Sequence, residues 1–154
     1  MAIPMTVDGA EGAKSLVGKE LGPSEWVEIT QDMVNLFADA TGDHQWIHVD
    51  VERAKKESPF GGPIAHGYLT LSLWPRLAPQ LMKITGFSMG VNYGTEKVRF
   101  PAPVPIGSKL RVKAVVDSVT DVAGGIQLQY TATFEVDGST KPACVAVIVV
   151  RQYE

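Results

Sequence analysis

Residues 126–136 decide the fold: Ile126-Gln127-Leu128-Gln129-Tyr130-Thr131-Ala132-Thr133-Phe134-Glu135-Val136. Apolar and polar side chains alternate along it without a slip. Successive side chains of a strand point to opposite faces, so this pattern gives one face to a core and the other to water. A half-buried strand needs neighbours. Upstream, Leu110, Val112 and Ala114 alternate with Lys109, Arg111 and Lys113. Turn signals at Asp121–Gly125 and Asp137-Gly138 separate the runs and favour antiparallel hairpins. Downstream, Ala143 to Val150 is nearly continuous apolar, as in a strand buried on both faces or at a subunit contact.

The first half of the chain has helical spacing instead. After a short strand at Trp26–Ile29, Thr30 is a plausible N-cap, with Asp32 in the first turn where the helix dipole favours an anion. Met33, Val34, Phe37 and Ala40 follow at helical intervals, and Thr41-Gly42 supplies a stop. Asp50 caps a second short helix, Val51 to Glu57, with a solvated charged face. From His66 to Met82 apolar residues cover nearly every face of a helical wheel, which belongs in an interior. Pro75 and Pro79 predict a break there, since each lacks an N–H and crowds the preceding turn. An antiparallel sheet wrapped around that apolar helix satisfies both patterns, giving an α+β class. Residues 1–16, with Gly9 and Gly12, read as a loose N-terminal arm; residues 17–154 read as a single domain.

Composition narrows the function. The chain has 154 residues, 14 Lys+Arg against 17 Asp+Glu, three His and one Cys. That length supports one core. The net charge of −3 and the lack of a basic block argue against nucleic acid. The lone Cys144 excludes an internal disulfide framework and a cysteine-rich zinc module, and its predicted strand position makes it inert. No apolar run approaches the ~20 residues of a membrane span. Met1–Met5 has no basic region leading an apolar one, so no signal peptide is expected and the protein reads as cytoplasmic.

The densest polar cluster is Gly42-Asp43-His44-Gln45-Trp46-Ile47-His48-Val49-Asp50. A carboxylate and an imidazole sharing one water can take its proton and return it elsewhere, which is general acid–base work near neutral pH. Ile64-Ala65-His66-Gly67-Tyr68 opens the buried helix, where backbone N–H groups lack intrahelical partners. Gly67 lets a ligand carbonyl approach its N–H, a donor suited to an enolate-like oxygen.

These residues resemble the MaoC-like, (R)-specific enoyl-CoA hydratase family. Thr41-Gly42-Asp43 with His48, then Pro63-Ile64-Ala65-His66-Gly67, carry the likeness. The run from Gly42 to His48 is most similar to the single-domain actinobacterial branch and to nodulation protein N, as are Asn92-Tyr93-Gly94 and the stretch Val98–Gly107. The resemblance spans roughly residues 17–151. It implies a hot-dog fold, a homodimer, and reversible hydration of a trans-2-enoyl-CoA to an (R)-3-hydroxyacyl-CoA. It puts the catalytic pair on Asp43 and His48, and the N–H that polarises the thioester carbonyl on Gly67. Coenzyme A enters as part of the substrate, with no other cofactor and no metal. Two departures matter: Gln45-Trp46 stands where the common motif has Asn-Pro, and Pro75 replaces a serine that some members carry.

Each residue also has a plainer reading. Asp43 is common in turns after glycine, and His48 alone is compatible with a satisfied half-buried histidine. His44 and His48 with Asp43 or Asp50 suggest a metal in principle, but no helical face aligns them. His66 reads as packing at the helix start, and His44 as a bystander. Trp46, Ile64, His66, Asn92 and Tyr93 are candidate pocket walls, although a tight turn before Gly94 accounts for Asn92 and Tyr93 equally well. Lys97, Arg99, Lys109 and Arg111 fit a solvated strand face as readily as contacts to coenzyme phosphates. A hot-dog acyl-CoA thioesterase and a non-catalytic acyl-CoA-binding or scaffold subunit are the competing functions.

Overall fold

A computed structural model describes residues 2–154. In chain order the elements are β1 (Met5–Asp8), α1 (Gly9–Lys14), β2 (Glu20–Leu21), β3 (Val27–Glu28), α2 (Gln31–Thr41), α3 (Trp46–Val49), α4 (Val51–Glu57), α5 (Gly67–Ser72), α6 (Trp74–Leu77), β4 (Met82–Thr85), β5 (Met89–Arg99), β6 (Lys109–Val122), β7 (Gly125–Val136) and β8 (Cys144–Tyr153). The large sheet runs β2-β6-β7-β8-β5, with β3 also pairing β6. The β5–β8, β6–β7 and β7–β8 ladders are antiparallel.

The alternation of β6 and β7 sets the inner wall. Leu110, Val112, Ala114, Ile126, Leu128, Ala132 and Phe134 are all buried, together with Ala146, Ile148 and Val150 of β8. They share one core with Leu69, Leu73, Trp74 and Leu77 from α5 and α6, so the sheet curls around the apolar helical segment as its sequence requires. That segment breaks at Leu73, and Pro75 occupies the opening turn of α6, where its missing N–H costs nothing. A 3-10 turn, Ala78–Gln80, completes it. Tyr68 on α5 is exposed, so the apolar segment is not buried on every side. In β8 only alternate residues are buried up to Ile148, and both of its edges are paired within the sheet.

The local signals of the first half act as expected. Thr30 Oγ1 accepts from the Met33 N–H at 3.2 Å, and Gly42 ends α2 in the left-handed region at φ 81. Asp50 Oδ1 accepts from the Arg53 N–H at 3.1 Å and caps α4. In α2 the buried pair is Val34 and Ala38, while Ala40 is exposed.

The N-terminal segment corrects the expectation of a loose arm. β1 pairs in parallel with β4, and Ala13 and Leu16 are fully buried. Gly12 serves packing: a Cβ there would stand 3.0 Å from Val7 Cβ, so the missing side chain lets α1 lie close on β1. Asn92, Tyr93 and Gly94 do not form a tight turn either. They sit inside β5, where the register with β8 shifts between Asn92 and Gly94. Among the described residues no helix is long and apolar enough to cross a membrane.

Candidate active site

Two connections converge beside the start of α5. One is Gly42–Val49, released from α2 by the Gly42 stop. The other is Ile64–Gly67, which the Ala65 N–H anchors to the Val104 carbonyl at 2.8 Å. Three bonds tie them together. The Ile64 N–H donates to the Ile47 carbonyl at 3.0 Å. His48 Nδ1 donates to the Ile64 carbonyl at 2.7 Å. His66 Nε2 donates to the Asp43 carbonyl at 3.0 Å. Both ring donors are assigned by their acceptors, since a backbone carbonyl cannot donate. Neutral His48 therefore keeps its lone pair on Nε2, and neutral His66 on Nδ1.

Asp43, His48, His66, Gly67, Tyr68 and Phe100 line one cavity of about 220 Å³. Asp43 Oδ1 accepts from the Gln45 N–H at 3.3 Å, while Oδ2 lies 4.0 Å from His66 Nε2. The Asp43 side chain is half exposed, but His48 is only 7% and His66 3% exposed. Burial holds the His48 imidazole below the usual histidine range, and the charge of His66 acts in the same direction. Its bond to Ile64 and the Asp43 carboxylate oppose that shift without reversing it. A histidine that stays neutral at neutral pH keeps a lone pair for accepting a proton.

Gly67 is required by a close approach. A Cβ there would meet the Phe100 ring at 3.1 Å. Phe100 also borders a neighbouring cavity of about 320 Å³, formed with Phe60, Ile64, Ala65, Thr70 and Val104 among others. Phe100 and Gly67 are common to both cavities, so the ring forms part of the wall between the chamber that holds Asp43, His48 and His66 and one that holds none of them.

Some expected pocket residues lie elsewhere. Trp46 does not line this cavity; the Arg53 guanidinium stacks 4.2 Å from its ring centroid on the α3–α4 side. Tyr93 is 57% exposed beneath Arg151, whose guanidinium sits 3.6 Å from the ring. Asn92 lines a groove against Trp74 and Pro75. Ile64 gives its carbonyl to His48 and lines the neighbouring cavity. His44 pairs with Asp39 at 3.0 Å on the surface, which raises its pKa. Burial pushes the Cys144 thiol up to about 11. Tyr68 and Phe100 line the cavity without a mark in the sequence, because an exposed aromatic at a helix start and one just after a strand carry no periodic signal.

Asp43, His48 and His66 bring one possible ligand atom each within 4.8 Å of one another. The two imidazoles, however, are stacked, with centroids 3.9 Å apart and planes 25° from parallel. An sp² nitrogen offers its lone pair in the ring plane, and rings stacked this way cannot both point at one ion ~2.0–2.1 Å away unless one turns. The arrangement favours a bound water or a polar substrate atom facing Asp43 and His48.

The MaoC like domain matches residues 13–137. The 3-hydroxyacyl-thioester dehydratase Z of Mycobacterium tuberculosis (strain H37Rv) is 52% identical over 147 residues, covering 95% of this chain and 97% of that protein. Nodulation protein N of Rhizobium meliloti is 48% identical over 139 residues, covering 86% and 83%. The unliganded R-hydratase structure from Pseudomonas aeruginosa superposes with a TM-score of 0.72 over 95% of this chain and 86% of that one, at 20% identity, and shares the fold.

Proposed function

The chain belongs to the MaoC-like dehydratase family, and from that premise we propose that it is an (R)-specific enoyl-CoA hydratase. It adds water reversibly across a trans-2-enoyl-CoA to give an (R)-3-hydroxyacyl-CoA. The observation that carries this reading is the shared cavity of Asp43, His48 and Gly67. Asp43 and His48 Nε2 hold one water against C3 of the enoyl thioester. The water oxygen bonds to C3, the dyad takes its proton, and the C2–C3 π electrons move toward the thioester oxygen. The Gly67 N–H, which makes no hydrogen bond within the described chain, stabilises charge on that oxygen as it develops. The dyad then delivers a proton to C2 from the same face. Dehydration is the reverse of these steps.

Two copies pair through β5, which forms an outer edge of the sheet and exposes Met89, Val91 and Tyr93. An exposed edge strand with apolar side chains along its first half invites pairing with another chain. A monomer by sedimentation at micromolar concentration overturns the homodimer.

Incubation with crotonyl-CoA tests the activity. Loss of the enoyl absorbance without release of free thiol is the expected result. Free thiol marks a thioesterase, and tight binding with no turnover marks a binding subunit; either one overturns the hydratase.

A further inference from the structure

The proposed reaction uses Asp43, His48 and Gly67 but gives no task to His66, which is buried to 3% exposure in the same cavity. His66 Nδ1 is buried with no hydrogen-bond partner. An unpaired buried acceptor is unfavourable, and a residue that only packs at the start of α5 has no need of one. An amide side chain could donate to the Asp43 carbonyl as His66 does, so the donor alone does not account for an imidazole. The ring faces supply the rest. One rests on His48 with centroids 3.9 Å apart, and Phe37 of α2 meets the ring at 4.9 Å and 53°. The His48 ring is thereby held twice, by its Nδ1–H bond to Ile64 and by the stack on His66. The main chain carrying the Asp43 carboxylate is held by the same imidazole through Nε2–H.

We propose that His66 is a positioning residue for the dyad, with Nε2–H fixing the Asp43 main chain and the ring face fixing His48 so that its Nε2 meets the same water as Asp43. The proposal rests on the hydratase reading for its kinetic consequence but not for its structural one. Across the stack the charge of His66 acts to lower the His48 pKa. Asp43 is the other ionisable group that acts on His48, and it acts in the opposite sense. The Gln31 side chain, which donates to the His48 carbonyl at 2.9 Å, is neutral.

Two variants separate the two functions of the imidazole. His66→Gln keeps an N–H near the Nε2 position and loses the ring; His66→Phe keeps a ring and loses the donor. With crotonyl-CoA, His66→Phe is expected to lower kcat ~10- to 100-fold with KM changed less than about threefold, the scale of a misplaced catalytic group. His66→Gln should recover part of that loss but stay about threefold or more below wild type, because it restores the donor and not the ring face. With only three histidines in the chain, the His48 ring signals are assignable by ¹H–¹⁵N NMR of the full-length protein. Removing the neighbouring charge should raise the His48 pKa in both variants, and the acid limb of the pH–rate profile should move up with it. Equal kcat in wild type and both variants, or an unmoved His48 titration, overturns the proposal while leaving the hydratase reading intact. A wild-type protein that does not hydrate crotonyl-CoA overturns the function instead, and the NMR titration still decides the role of His66.

Discussion

β7 and the connection Gly42–Val49 hold their residues in place by opposite means. Along β7 backbone bonds run to β6 on one edge and β8 on the other, and alternate side chains are buried against one core. Each position there is supported by many interactions of the same kind. Gly42–Val49 has no ladder. The His48 ring is set by one bond to the Ile64 carbonyl, 16 residues away, and by the stack on His66, while one bond from His66, 23 residues away, holds the Asp43 main chain. Redundant support tolerates small changes. A few specific bonds place an atom within the tolerance that proton transfer demands, and a change at the atom itself has nothing to replace it.

The largest effect should therefore come from the least redundant region. Asp43→Asn keeps the size and the half-exposed position of the side chain but removes its charge and its capacity to take a proton. Hydration should fall ~10²- to 10⁴-fold in kcat, the usual contribution of a general acid or base. The melting temperature should stay within about 2 °C, because the carboxylate carries little of the packing. Stopped absorbance assays with crotonyl-CoA and a thermal melt check the two halves. Activity within threefold of wild type would sink the assignment of Asp43.

The same contrast explains what the sequence made legible. Period-two runs predicted the inner faces of β6 and β7 because each buried position repeats a rule that its neighbours obey. Thr30, Gly42 and Asp50 were legible because caps and stops act within a few residues. The N-terminal segment was not, because β1 gains its order from β4, whose partner positions lie 77 residues away in the chain, as from Met5 to Met82. No local period reports such a pairing. β5 hid its nature for another reason: nearly all its residues are exposed, and two register shifts against β8 spoil any alternation.

Within the site, residue type and spacing singled out Asp43, His48 and Gly67, and the fold brings them to one cavity. The aromatic walls were a different matter. Trp46 and Tyr93 are each drawn to a guanidinium, Arg53 and Arg151, and a cation–π contact depends on side-chain direction rather than on spacing. Phe100 reaches the cavity only because Gly67 leaves room for its ring.

The smaller effect belongs to β7. Ile126→Val removes one methylene from a side chain that is 1% exposed, without changing its polarity or its strand preference. The lost burial and the small void left behind should destabilise the protein by roughly 0.5–1.5 kcal/mol. For a chain of this length that corresponds to a fall of about 2–4 °C in melting temperature per kcal/mol. Every backbone bond of β7 survives, so the register that places β6 and β8 survives with it. Activity per folded molecule should therefore match wild type within experimental error, the reverse of the Asp43→Asn result. Denaturant titration and kcat on the same preparation measure the two quantities. A kcat that fell severalfold with Ile126→Val would mean that the wall and the site are mechanically coupled, and the division between redundant and specific support would fail at that residue.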